Sequence, residues 1–144
     1  MTWKTHLVLG AIAGYYAYPS WKGSVIGATM ALLPDVDQAR SKLGNMIRPV
    51  SRALQKGLGH RTLTHSWVIL LVPALLFGDS PAALAALWGI LSHLISDMLV
   101  GRIQFFWPIR MGWIGIPLTK TMYRTVDRVV FFLAIGYIVY AGYQ

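Results

Sequence analysis

The sequence predicts an all-α fold: an integral membrane bundle of about five helices, built as a single membrane-embedded domain over residues 1–144. Three observations predict it. Apolar residues make up 56% of the chain and charged residues only 12%, whereas ordinary soluble domains carry about 25% charged residues. Apolar segments of helical length alternate with turns marked by Pro and Gly. The length of 144 residues is that of one domain.

Five apolar segments are predicted to form the helices. Their approximate limits are Trp3–Tyr18, Ser24–Leu33, Thr64–Phe77, Pro81–Val100 and Tyr123 to the C-terminus. A helix that crosses a bilayer needs about 20 residues, and the first three segments are shorter. Tilted spans, local thinning of the bilayer and hairpins that do not fully cross therefore remain alternatives for those three.

Local signals set the ends of several elements. Ser80 is a predicted N-cap with Pro81 at the first helical position. Pro73 is predicted to kink the third segment, which a membrane helix tolerates. The stretch Gly101–Thr121 is rich in Gly, Pro and Trp and is predicted to be irregular. Ser51–Leu58 is predicted to form a short amphipathic helix on the membrane surface.

The positive charges predict an orientation. If every segment crosses, the N-terminus and the two long loops share one side of the membrane. Of the 13 Lys and Arg residues, only Lys22 falls on the other side. Cytoplasmic loops are enriched in Lys and Arg, so the sequence predicts a multi-pass membrane protein with its N-terminus inside and its C-terminus outside. The net charge of +8 then meets anionic lipid headgroups, and no nucleic-acid partner is expected.

All four histidines and four of the five acidic residues fall at the cytoplasmic ends of these segments. They are His6, Asp35, Asp37, His60, His65, His93, Asp97 and Asp127. Only Asp79 falls at the opposite end. Ionisable groups at membrane depth are costly and usually mark a functional site.

Imidazoles and carboxylates together predict a metal site on the cytoplasmic side of the bundle. The chain has no cysteine, so any metal must be held by His, Asp, backbone or water. His93 and Asp97 have the i, i+4 spacing that places both on one helix face. The eight candidate ligands exceed the needs of one ion, so two or three are plausible. Zn²⁺ suits His and Asp ligands, and Mn²⁺ or Mg²⁺ suits a more oxygen-rich set. Each pair taken singly is also typical of hydrogen-bonded partners at an interface.

A bound metal can lower the pKa of water towards neutrality and clamp the oxygens of a phosphoryl group. Asp35, Asp37 and His60 are the predicted catalytic residues, with either carboxylate as a general base. Arg61 and Arg102 are predicted to bind an anionic group of the substrate. Contact with lipid headgroups explains the two arginines equally well.

The same motifs, taken in order, resemble the LexA-regulated, membrane-bound metal-dependent hydrolases, a YdjM-like family. The matching pieces are His6 at the start of a helix, Leu32–Asp37, Gly59–Ser66, Leu91–Leu99 and Phe106–Pro108. No piece is specific alone, whereas the ordered set spans most of the chain. The family's last helix tends to begin with an acid followed by Arg, which resembles Asp127-Arg128 here.

The resemblance implies an inner-membrane hydrolase with a metal centre, distantly similar to zinc-dependent phospholipases C. We therefore expect a metal-dependent hydrolase that cleaves a phosphate ester of a phospholipid or lipid-linked substrate, with membrane lipids as its partners. The alternative is a non-catalytic membrane protein whose polar cluster is a structural metal site or an ion pathway.

Overall fold

The structure is a computed structural model that describes residues 1–38, 41–46, 48–49, 51–52, 62–109 and 111–143. The described residues form six α-helices, joined by turns and 3₁₀ segments. They are α1 (Trp3–Ala17), α2 (Trp21–Met30), α3 (Lys42–Met46), α4 (Val72–Phe77), α5 (Pro81–Val100) and α6 (Lys120–Gly142). The 3₁₀ segments are Leu33–Asp37, Leu63–His65 and Trp67–Leu71. The all-α class predicted from the sequence is confirmed for these residues.

Helices α1, α2 and α5 pack with their backbones in direct contact. A Cβ atom added at Gly27 of α2 would lie 2.3 Å from the Gly10 carbonyl oxygen of α1. One added at Gly89 of α5 would lie 2.3 Å from the Gly27 carbonyl oxygen. Small residues permit such close approach between helices in membranes, where dispersion contacts drive association. These contacts fix the three helices relative to one another along their axes, and they therefore fix the relative position of the polar helix ends.

Helix α5 supplies the centre of the apolar core. Ile90 and Leu94 are buried there, and Met30 of α2 and Ile69 pack against the same cluster. Ile103 enters the cluster from the irregular stretch after α5. The apolar core thus lies beside the polar cluster that ends α5, and the two share one helix.

Two of the described helices, α5 with 20 residues and α6 with 23, are long and apolar enough to cross a membrane. Half of the apolar stretch of α5 is buried inside the protein. In α6 only Asp127 and Ala134 are buried, and Phe132 and Leu133 are each 69% exposed. A long apolar helix with so much exposed apolar surface is suited to contact with lipid.

The sequence predicted α5 and the irregular stretch after it correctly. Helix α5 begins at Pro81, and Ser80 caps it by accepting a hydrogen bond from the Ala83 backbone N–H. Residues 101–119 are irregular, with one isolated antiparallel bridge between Ile103 and Ile114.

The prediction of one kinked helix over Thr64–Phe77 is wrong. Two 3₁₀ segments occupy its first half, separated at Ser66, whose side chain accepts a hydrogen bond from the Val68 N–H. Helix α4 starts only at Val72, and Pro73 lies in its first turn. Pro is tolerated there because the first N–H groups of a helix have no intrahelical partner. The proline therefore begins a helix and does not kink one.

The predicted number of about five helices is not confirmed as a five-helix bundle. The described residues contain six α-helices, and α3 and α4 have only five and six residues. Residues 53–58 of the predicted surface helix Ser51–Leu58 lie outside the described residues.

The contact at Gly27 leads to a stability prediction. Gly27→Ala should lower the free energy of unfolding by about 1–3 kcal/mol, because the new methyl group meets backbone atoms of α1 that cannot rotate away. The matched control is Gly136→Ala in α6, where an added Cβ would meet nothing within 4 Å and the better helix former should cost nothing. Thermal unfolding in detergent measures both, and equal midpoints for the two variants would contradict the close packing.

Candidate metal centre

Five predicted ligands meet at one end of the α1, α2 and α5 bundle. Helix α1 places His6 there, and α5 places His93 and Asp97 on one face. Asp35 comes from the 3₁₀ segment that follows α2, and His65 ends the 3₁₀ segment Leu63–His65. The sequence hypothesis that residues far apart in the chain share one cavity therefore holds geometrically for these five.

The five residues form two groups that could hold a metal ion, one of His6, Asp35 and His93, the other of His65, His93 and Asp97. Within each group the candidate ligand atoms lie within 4.8 Å of one another. His93 belongs to both groups and is completely buried. It is therefore the residue around which the centre is arranged.

Inside the cluster, imidazole nitrogens lie close to one another and to Asp97. Nε2 of His93 lies 3.3 Å from Nε2 of His65. Oδ1 of Asp97 is 3.2 Å from Nε2 of His6, and Oδ2 is 3.6 Å from Nε2 of His65. The rings of His6 and His93 stack with their centroids 3.8 Å apart. Three imidazoles thus direct their Nε2 atoms into one buried volume beside a carboxylate.

Hydrogen bonds behind the rings assign their tautomers. Nδ1 of His93 donates to the Ala31 carbonyl oxygen at 2.7 Å, because a carbonyl can only accept. The Ser96 hydroxyl donates its single hydrogen to the His93 carbonyl oxygen. Nδ1 of His6, 3.0 Å from the Ser96 oxygen, must therefore donate to it. In neutral His6 and His93 the lone pair is then on Nε2, the atom that faces the cavity.

This arrangement fits a cation. Nε2 of His6 is buried and has no hydrogen-bond partner among the described residues, although Asp97 Oδ1 is 3.2 Å away. A lone pair on that nitrogen and a carboxylate oxygen repel each other unless a proton or metal ion lies between them. The amino group of Met1 contacts Oδ1 of Asp97 and supplies one positive charge there. Ring nitrogens fixed by partners on the opposite side are typical of metal-binding histidines.

Asp35 belongs to this cluster, and Asp37 follows it in the same 3₁₀ segment. Burial raises the pKa of the Asp35 carboxyl above its usual range, and the neighbouring His6 imidazole opposes the rise. A bound cation would reverse the shift by favouring the carboxylate. Asp37 is buried two residues further along the same 3₁₀ segment. The two metal-compatible groups among the described residues do not include Asp37.

Asp127 and Arg102, two further predicted site residues, are not part of the two ligand groups. Asp127 of α6 belongs to neither group, and its Oδ1 accepts hydrogen bonds from the Thr2 N–H and the Thr5 hydroxyl, both at 2.8 Å. It joins α6 to the start of α1. Arg102 is exposed just after α5. His60 and Arg61, the other predicted catalytic and substrate-binding residues, lie outside the described residues.

Two groups orient the imidazoles, the Ala31 carbonyl and the Ser96 hydroxyl, and the sequence did not single out either of them. The Ala31 carbonyl that orients His93 has no signature in the sequence, because any residue has a carbonyl group. Ser96 is one of five hydroxyl residues that stand near the candidate ligands in the sequence, the others being Thr62, Thr64, Ser66 and Ser92. Ser96 follows His93 by three residues and therefore lies on the same side of α5. This spacing could have identified Ser96, rather than Ser92, as a partner of the ligands. Among the described residues, Ser92 bonds to the Gly89 carbonyl oxygen instead.

The profile of the YdjM inner membrane protein family matches residues 1–144. The chain belongs to this family. The uncharacterized protein YvsG of Bacillus subtilis (strain 168) is 32% identical over 118 residues, in an alignment that covers 75% of this chain and 74% of YvsG. The inner membrane protein YdjM of Escherichia coli (strain K12) is 34% identical over 89 residues, in an alignment that covers 55% of this chain and 45% of YdjM. No solved structure matches the chain.

Membership in the YdjM family confirms that part of the resemblance, whereas LexA regulation and the similarity to zinc-dependent phospholipases C stay predictions. The family match and the two long apolar helices α5 and α6 together support a location in the membrane. The matched segment spans less than half of the E. coli relative. The hydrolase activity and the metal stay predictions.

Proposed function

We propose that this YdjM-family protein is a membrane-bound, metal-dependent hydrolase that cleaves a phosphate ester of a phospholipid or lipid-linked substrate. The observation that supports the proposal is the convergence of three buried imidazoles on Asp97, with Asp35 beside them. An all-protein cluster of lone pairs at membrane depth is costly unless a cation neutralises it. A metal ion held there could activate water for the hydrolysis of phosphate esters in the surrounding lipids.

In this proposal His6, His65, His93, Asp35 and Asp97 hold at least one divalent ion, Zn²⁺ by preference and Mn²⁺ or Mg²⁺ as alternatives. Nδ1 of His93 is engaged with Ala31, so His93 has one nitrogen left to offer. The two groups that share His93 therefore draw on a single ligand atom. A second ion would need further ligands, for which His60 and Asp37 are the candidates.

When bound, the ion would polarise a phosphoryl oxygen and make water more acidic. The chain's own residues supply the rest. Asp37, or Asp35 where it is not a ligand, would accept the proton of the water that attacks phosphorus as the P–O ester bond breaks. Arg102, and in this proposal Arg61, would neutralise the phosphate oxygens. His60 keeps its proposed catalytic role.

Metal content tests the proposal directly. In protein purified without chelators, elemental analysis should find one or more equivalents of Zn, Mn or Mg. His93→Ala should lose most of this metal, because the substitution removes the residue common to both ligand groups. The same preparations should release diacylglycerol or phosphatidic acid from phospholipid vesicles, and His93→Ala should not.

The control for this experiment is Asp79→Ala, which removes an exposed carboxylate at the start of the α4–α5 turn. It should keep both metal and activity. Equal metal content in wild type, His93→Ala and Asp79→Ala would refute the centre. Metal that is lost with His93, in protein that hydrolyses none of the esters tested, would remove the enzymatic part of the proposal.

A matched serine pair tests how the ligands are oriented. Ser96→Ala removes the hydroxyl that accepts from His6 Nδ1 and should weaken metal affinity about 10–100-fold, the usual effect of losing such a partner. Ser92→Ala removes a hydroxyl on the same helix whose hydrogen bond, within the described part of the chain, goes to the Gly89 carbonyl oxygen, and it should leave affinity unchanged. Competition with a fluorescent chelator measures both, and equal affinities would disprove the positioning role of Ser96.

The positive charges support a cytoplasmic location for this centre. Alkaline phosphatase fused after Gln144 should be active, since it folds only outside the cytoplasm, and a fusion within the Pro34–Leu63 loop should be inactive. The opposite pattern would reverse the orientation, and two active fusions would show that the segments between them do not cross as proposed.

A second candidate is a non-catalytic membrane protein with a structural ion or an ion pathway. The burial of His65, His93 and Asp97, each no more than 1% exposed, favours it, because a closed site leaves little room for a substrate. Asp35 is partly exposed, so a substrate could approach the centre from its side. Stoichiometric metal that stabilises the protein without any hydrolysis would select this second function.

A further inference from the structure

A second polar site lies between the start of α1 and the first half of α6. It is a cleft of about 220 Å³. Its lining consists of Thr2, Lys4, Asp127, Arg128, Phe131 and Phe132. The charged residues and the aromatic residues occupy successive turns of α6, so the cleft has a polar part and an apolar part.

We propose that this cleft binds one anionic phospholipid, with the phosphate between Lys4 and Arg128 and the start of an acyl chain against Phe131 and Phe132. The inference rests on the proposed function and deepens it by naming where the phospholipid binds and that its headgroup is anionic. It assigns a binding site distinct from the two arginines, Arg61 and Arg102, considered for the substrate above.

The charge of the cleft matches a phosphodiester. Lys4 and Arg128 are exposed, and neither has an ion-pair partner among the described residues. Asp127 also lines the cleft, but its Oδ1 is already occupied by the Thr2 N–H and the Thr5 hydroxyl. Two cations and one carboxylate leave a net charge of +1, which a phosphodiester with a single negative charge balances.

The apolar part of the cleft continues into the membrane-facing surface of α6. The rings of Phe131 and Phe132 meet edge to face with centroids 5.6 Å apart, and Phe132 is 69% exposed. Arg128 is the last charged residue of the chain, and no charge follows between Val129 and Gln144. Such a change from basic to apolar surface marks the level of lipid headgroups. An anionic head joined to an apolar tail fits this junction, whereas free phosphate uses only half of it.

The cleft also adjoins the candidate metal centre. Thr5 donates to Asp127 in the cleft, and the next residue, His6, faces the buried cluster. Lys4 lies two residues before His6 on α1, so the cleft and the buried cluster lie at the same end of this helix, on different faces of it.

Native mass spectrometry of the full chain in neutral detergent tests the site. Dioleoyl-phosphatidylglycerol is the probe, and dioleoyl-phosphatidylcholine is the comparison lipid. Lys4→Gln combined with Arg128→Gln should weaken phosphatidylglycerol binding by about tenfold or more, because two basic contacts are lost. Lys22→Gln combined with Lys120→Gln makes the same change in net charge outside the cleft and should bind as wild type does.

Two further arms distinguish the occupants. Phe132→Ser should weaken the lipid and leave any binding of inorganic phosphate unchanged. At a concentration equal to that of the lipid, inorganic phosphate or glycerophosphoglycerol should not displace it; displacement under that condition would show a simple anion site and overturn the lipid assignment. Equal phosphatidylglycerol binding in the two double variants would also overturn it, as would equal loss of both lipids in Lys4→Gln with Arg128→Gln.

Metal analysis of the same samples separates this inference from the proposed function. The Lys4 and Arg128 variant should keep its metal, because neither residue belongs to the ligand groups. Lipid binding that depends on Lys4 and Arg128 in protein without metal would support the cleft and refute the hydrolase. Bound metal with lipid binding that ignores both residues would refute the cleft alone.

Discussion

Direct backbone contact between α1, α2 and α5 is the constraint on which the rest of the structure depends. Glycine at positions 10, 14, 27 and 89 lets the three helices approach until carbonyl oxygens meet α-carbons. A Cβ atom added at Gly10 would also lie only 2.4 Å from that of Ala31, and the Ala31 carbonyl is the group that orients His93. The close packing and the orientation of the central imidazole are therefore consequences of the same contact.

The polar cluster depends on that packing because each of its members comes from a different element. His6, His93 and Asp35 belong to α1, α5 and the segment after α2, and a shift of one helix by a single turn would move its ligand by about 5.4 Å. In the tautomers assigned to neutral His6 and His93, the Nε2 lone pairs face the cavity beside the Asp97 carboxylate. A bound cation would relieve the repulsion between these acceptors, and this is the physical argument behind the proposed function.

Helix α6 belongs to the structure in a different way. It buries only Asp127 and Ala134, and hydrogen bonds attach it to α1 near both ends, from Thr2 and Thr5 to Asp127 and between the hydroxyls of Tyr16 and Tyr137. Polar contacts of this kind hold helices together in lipid, where apolar surface gives little net attraction. The loose fit leaves clefts along α6, including the one assigned to a phospholipid.

The sequence by itself determined the all-α class, the bounds of α5 and the gathering of His and Asp at one end of the apolar segments, because hydropathy, proline position and N-cap chemistry are local properties. It could not determine which of the candidates meet. Asp97 and Asp127 were both predicted to be metal ligands. Tertiary packing brings Asp97 to three histidines and Asp127 to two threonines. The 3₁₀ geometry before α4 was likewise decided by packing, since the apolar pattern of Thr64–Phe77 suits an α-helix equally well. Ligand sets depend on the angle and depth at which helices pack, and backbone contacts between distant glycines set those quantities in this protein.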